Sequence, residues 1–195
     1  MKVTEAKAIG SFVRDKIDML NDGTPKSQAA CANLRRAIGK EPGASPDIWD
    51  LTLRGAHDSW GSRHDNPSYE QWAIHTALTL YALHYQGKDV SMNDEKRSFA
   101  SATASIAKDD EGRREAIRRR FNAVATAMDF TELAYHARGI IQMLKAEDIP
   151  MNYPQFTEDL YLFQIPGLAD GIRLRWGEDF YKVWDHLERK DDDKQ

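Results

Sequence analysis

The sequence predicts an all-α protein of about nine helices in two packed helical subdomains. Apolar residues recur at three- and four-residue spacing through nearly every periodic stretch. The intervals between those stretches are short and carry helix-capping residues where caps belong. Only IRLRW at 172–176 alternates as a strand would, and with no second strand to pair with it reads as helix. The two groups of helices meet between residues 88 and 112. This gives an N-terminal subdomain over 1–90, a C-terminal bundle over 91–188 and a charged, disordered tail over 189–195.

Each element has a local cause. Phe12, Val13, Ile17 and Leu20 put an apolar stripe on the first helix, and Asn21-Asp22-Gly23 turns the chain after it. Thr24 before Pro25 reads as an N-cap with proline in the first turn. The helix that follows, KSQAACANLRRAI, stops at Gly39. KEPGASPD at 40–47 is a turn-rich linker, and a short helix covers 48–53. After the polar loop GSRHDNP, Ser68 caps the next helix and Gln71 completes a capping box. That helix, YEQWAIHTALTLYALHY, is apolar almost all round, the pattern of a buried central element, and Gly87 ends it. The second group opens near Asn93 or Asp94 with DEKRSFASATASIAK. An arginine-bearing helix follows over about 110–128, then Asp129 caps a helix to about 146. Asn152 and Pro154 open QFTEDLYLFQ, and a last helix spans about 169–187.

Composition narrows the class. Of 195 residues, 41% are apolar and 30% charged, which suits a soluble globular protein rather than a disordered one. No apolar stretch approaches the roughly 20 residues a bilayer requires, and the N-terminus lacks an uninterrupted signal-peptide core, so a cytoplasmic protein without a membrane segment is expected. Cys31 is the single cysteine, which excludes an internal disulfide and a thiolate zinc cluster. No two of the six histidines lie three or four apart, so no helical metal-ligand pair is present. His75 and His84 read as packed, hydrogen-bonded core residues, His64-Asp65 as a surface-loop pair, and the five tryptophans as helix–helix packing. Glu158-Asp159 and Glu178-Asp179 are adjacent rather than facing, and no phosphate-cradling glycine loop occurs. Neither an enzyme nor a resident cofactor is predicted.

Charge is distributed unevenly. Residues 1–112 carry 14 basic and 16 acidic side chains, a net of −2; residues 113–145 carry seven and three, a net of +4; residues 146–195 carry six and twelve, a net of −6. The middle segment contains GRREAIRRRF, with five arginines between Arg113 and Arg120. Stepped at 100° per residue, Ile117, Phe121, Val124 and Met128 form a stripe that must face the core. Arg119 then points opposite that stripe, Arg114 and Arg118 line one flank, and Arg113 and Arg120 line the other. Glu115 is the only acid nearby, so most of these guanidinium groups need anions from another helix, a partner protein or phosphates. Arg119 is expected to lead in such contacts, followed by Arg118 and Arg120, with Arg113 and Arg114 in local ion pairs. Arg35-Arg36 ends a helix, where cations also suit the helix dipole. Lys96-Arg97 and Arg63 are weaker candidates, and Arg138 shares a helix face with Tyr135 and Gln142.

In combination, LRRAIG at 34–39, RRRFNAVATA at 118–127 and ELAYHARGIIQMLKAEDIPMNYPQFTEDLYLFQ at 132–164 resemble the CasB small subunit of the type I-E CRISPR Cascade complex. The resemblance covers most of the chain and is loosest over 40–65. It implies a non-catalytic, two-subdomain helical protein, present as two copies beside the large subunit and the backbone subunits that hold the CRISPR RNA. It further implies a basic surface that holds target DNA in the R-loop, with Arg35, Arg36, Arg118, Arg119, Arg120 and Arg138 at the family's basic positions. Arg63 is nearest to the family's loop arginine, although Ser68 lies closer to the expected place. An alternative reading is a helical scaffold whose arginines dock acidic faces of partner subunits.

Overall fold

The computed structural model describes residues 2–107 and 111–192. Among them are nine α-helices: α1 (Lys2–Leu20), α2 (Pro25–Arg36), α3 (Trp49–Thr52), α4 (Tyr69–Tyr85), α5 (Phe99–Ser105), α6 (Arg114–Ala125), α7 (Phe130–Ala146), α8 (Tyr153–Phe163) and α9 (Ala169–Asp192). Short 3₁₀ turns precede α3, α4 and α6. The described residues form no multi-residue strand, and IRLRW lies within α9. No helix among them is long and apolar enough to cross a membrane.

The caps act where the sequence places them. Thr24 accepts from the Ser27 amide, Asp129 from Glu132 and Asn152 from Gln155, each satisfying a donor that the first helical turn leaves free. Ser68 and Gln71 form a full capping box at α4. Gly39 and Gly87 take φ of +75°, the left-handed conformation glycine adopts without strain.

The all-round apolar α4 is the centre of the molecule, buried continuously from Ala73 to Ala82. It packs on α8, α2, α7 and α1, while α1 lies along α8 and α5 along α9. One buried cluster runs from Ile9 and Val13 of α1 through Leu78 of α4 and Leu160 of α8 to Trp176 and Phe180 of α9. Stacked rings join its far side: Phe99 to Phe156 at 4.8 Å and Phe121 to Phe180 at 4.2 Å between centroids.

Five local expectations need correction. The arginine helix α6 is shorter than 110–128, and because it ends at Ala125 the chain leaves the helical screw before Met128. Met128 is therefore 91% exposed instead of completing the core stripe, and Ala127 is buried in its place. Asp94 does not open a helix: its carboxylate caps a tight turn by accepting from the Lys96 amide at 3.0 Å, and Ser98 caps α5 instead. α2 ends at Arg36, since the Ala37 amide folds back in a terminal turn before Gly39. Trp49 is 46% exposed, its indole donating to the Gly43 carbonyl, so it braces a loop rather than packing between helices. Residues 189–192 of the expected tail continue α9, and 193–195 lie outside the described residues.

Three buried titratable groups give stability a worked pH dependence. Burial pushes His84 down to about 4 and lowers His75, so both sit neutral. Burial pushes the Asp159 carboxyl up to about 6, against the pull of Arg175. As pH falls below about 6.5, the unfolded chain gains protons on both histidines that the folded chain refuses, so stability is lost. Asp159 acts oppositely: its folded form takes up a proton between about pH 6 and 4, adding stability as pH falls. Between pH 7 and 5, His84 removes about 2 kcal/mol and Asp159 returns about 1 kcal/mol. Urea unfolding is expected to show a net loss at pH 5, and a steeper one in Asp159→Asn. A flat or rising profile contradicts the neutral-histidine assignment.

Candidate nucleic-acid interface

The turn at 126–129 folds α7 back along α6, which sets their facing side chains in antiparallel register. Arg113 at one end of α6 meets Glu147 beyond the end of α7 at 2.8 Å, and the Arg120 guanidinium lies over Gly139. Between the helices runs an open groove of about 720 Å³. Its small residues are Ala116, Ala123 and Gly139, and its polar lining is Arg119, Arg120, Tyr135, His136, Arg138 and Gln142. Gly139 matters because the Arg120 Nη1 atom sits 3.7 Å from where a β-carbon would stand. A long side chain there would occupy the space the guanidinium uses.

Arg119, Arg120 and Arg138 make no hydrogen bond or ion pair with any described residue. Their sequence neighbours behave differently: Arg118 donates to Glu115 at 2.6 Å, one turn away, and Arg113 to Glu147. Arg118 is absent from the groove lining. The expected order therefore changes, with Arg138 joining Arg119 and Arg120 in place of Arg118.

The remaining candidates lie elsewhere. Arg35 turns toward the C-terminal end of α4, donating to the Ala82 carbonyl at 3.4 Å. Lys145 lies close by and donates to Gln86 at 2.8 Å; burial, then the charges of Arg35 and Lys88, lower its ammonium pKa. Lys88 is ion-paired to Asp148. Arg36 points to solvent and bonds Asn33 at 2.8 Å. Lys96 and Arg97 line a separate hollow with Gln155, Asp179 and Lys182. Arg63 sits in a two-residue turn closed by mutual Arg63–Asn66 backbone bonds, with His64 and Asp65 at positive φ. There it belongs with Tyr161, whose hydroxyl burial, Glu70 and Glu5 push up to about 12 while Arg63 pulls the other way. The nine candidates thus fall on several parts of the surface, and the α6–α7 groove gathers three of them.

Sequence reasoning missed four contributors. Gly139 is legible only once α6 and α7 are paired, and Lys88 and Lys145 join Arg35 only through the packing of α4, α7 and α2. Lys40 was passed over as part of a linker, yet it lines a cavity that also reaches Arg138.

Residues 30–181 match the family model described as CRISPR-associated protein Cse2. The chain belongs to the Cse2 family. Solved structures agree. CasB from Thermobifida fusca superposes with a TM-score of 0.75 at 28% identity, covering 88% of this chain and 97% of that one. CasB from Thermus thermophilus gives 0.66 at 21% identity over 89% and 97%. A chain of a CRISPR RNA-guided surveillance complex gives 0.73 at 13% identity over 95% and 98%. The last two likenesses speak for the fold. No curated protein matches the sequence. The Cse2-matched segment includes all of α4 to α8, and so both walls of the groove.

Proposed function

We propose that this Cse2-family chain is a non-catalytic subunit of a CRISPR RNA-guided surveillance complex, in which the α6–α7 groove holds DNA phosphates and stabilises the R-loop. The observation that carries the reading is the convergence of Arg119, Arg120 and Arg138 on one groove without acidic partners among the described residues. Family membership supplies the setting, with large and backbone subunits, CRISPR RNA and target DNA as partners and two copies in each complex.

The physical logic is differential. Exchanging a DNA duplex for a guide–target heteroduplex is nearly balanced, so a few protein–backbone contacts tip it. Planar guanidinium forks suit phosphate oxygens and carry affinity without reading sequence. Arg35, Arg36, Lys96, Arg97 and Arg63 would extend such contacts from other faces, each more weakly because each is already turned toward a protein group or isolated.

The test is a complex assembled with Arg119, Arg120 and Arg138 all changed to Ala. Its DNA affinity is expected to fall at least about tenfold, equally for all sequences, and the salt slope to shrink by about 2 units for three single-strand phosphate contacts. Arg118→Ala, whose guanidinium is held by Glu115, should leave both unchanged. Normal assembly with unaltered affinity and slope sinks the proposal. Failure of the triple variant to co-purify supports the scaffold reading instead.

A further inference from the structure

A second cavity lies directly behind the groove, between the end of α2, α4 and the first half of α7. It encloses about 220 Å³ and shares Tyr135 and Arg138 with the groove. Its walls are largely apolar and aromatic, from Trp72, Phe130 and Leu80, with Trp72 and Phe130 set edge to face at 5.9 Å. An engineered apolar cavity of about 150 Å³ accepts benzene, and drug-sized pockets begin near 300 Å³. The space therefore suits one planar ring system.

One buried polar atom of a wall residue lacks a partner among the described residues. His75 is 2% exposed, and its Nε2 lies 3.1 Å from the Ala37 carbonyl. A carbonyl only accepts, so Nε2 carries the proton and Nδ1 is left as an acceptor. That Nδ1 is buried with no hydrogen-bond partner. Burial lowers the His75 pKa, which keeps the ring in this neutral form near pH 7. An N–H donor brought against this wall would satisfy that acceptor.

We propose that the cavity receives one unstacked nucleobase of the single DNA strand whose phosphates lie on Arg119, Arg120 and Arg138. This deepens the groove reading and rests on it. Every base has an aromatic face for Trp72 and Phe130 and an N–H on its pairing edge for His75 Nδ1, so the pocket does not select sequence. Tyr135, 73% exposed at the shared rim, and Arg138 place phosphate and base on adjoining surfaces. A strand seated this way is held out of its duplex by its base as well as by its charge.

The experiment titrates the full chain, at several salt concentrations, with a short oligothymidylate and with an equally long strand of abasic tetrahydrofuran units. Phosphate count is the same, so only base contacts differ. Oligothymidylate is expected to bind about five- to 150-fold more tightly, the range for stacking one base. In Ala134→Leu, which fills the cavity from α7, that preference should vanish while abasic affinity and salt slope persist. Equal affinity of the two strands for the native chain overturns the base pocket and leaves the groove reading intact. A preference that survives Ala134→Leu places the base elsewhere and also overturns it. Binding of neither strand defeats both readings. The native comparison needs no variant, so a misfolded Ala134→Leu does not shield the proposal.

Discussion

Replacing Asp159 by Ala is expected to destabilise the protein by about 3 kcal/mol, a fall in Tm of roughly 6–12 °C. Asp159 is 2% exposed on α8 and joins two neighbours from α9. Its Oδ2 accepts from the Trp176 indole at 2.6 Å, and its Oδ1 is ion-paired with Arg175. Trp176 is itself 1% exposed, so without the carboxylate its N–H has neither acceptor nor water. Arg175 keeps some access to solvent, which holds the loss below that of a fully buried broken pair. Asp159→Asn retains an acceptor for the indole and removes the buried charge, so its cost should stay within about 1 kcal/mol. Thermal unfolding of the two variants side by side checks this. An alanine variant melting as the native chain does would show that the α8–α9 contact does not depend on this bond.

Gly10→Leu is expected to cost roughly 3 kcal/mol or more, because α1 and α8 touch where Gly10 has no side chain. A β-carbon at Gly10 would stand 2.9 Å from the Pro154 carbonyl and 2.8 Å from Glu158 Oε1. The glutamate can swing aside, but the carbonyl belongs to the backbone of α8. Even Gly10→Ala should destabilise by about 1–3 kcal/mol, although alanine gains up to about 1 kcal/mol in helix propensity. Denaturant unfolding midpoints give the sign directly. A stabilised Gly10→Ala would mean that α1 and α8 can part at no cost.

The two substitutions show unequal legibility. Gly10 sits in the interior of a helix where sequence reading sees only a mild propensity defect, and the close approach to Pro154 O is invisible until α1 meets α8. Asp159 looked like half of an ordinary acidic pair, and nothing local marks it as buried. By contrast, the caps at Thr24, Ser68, Asp129 and Asn152 were legible because a cap bonds an amide two or three residues away. The same locality explains Arg118: its partner Glu115 is one turn back on the same helix, and helical spacing alone could have set it aside.

Which residues form helices, where most of them start, and that the arginines cluster before an apolar stripe all follow from interactions within one or two turns, and the chain order contains them. Which of those arginines share a surface does not. Arg119 and Arg120 meet Arg138 because the turn at 126–129 reverses the chain and Gly139 leaves room for a guanidinium. Met128 leaves the core for a related reason, since α6 stops at Ala125 to make that turn. Contacts between helices depend on crossing angle, register and the volume of facing side chains, and these are set only when all the helices compete for the same core.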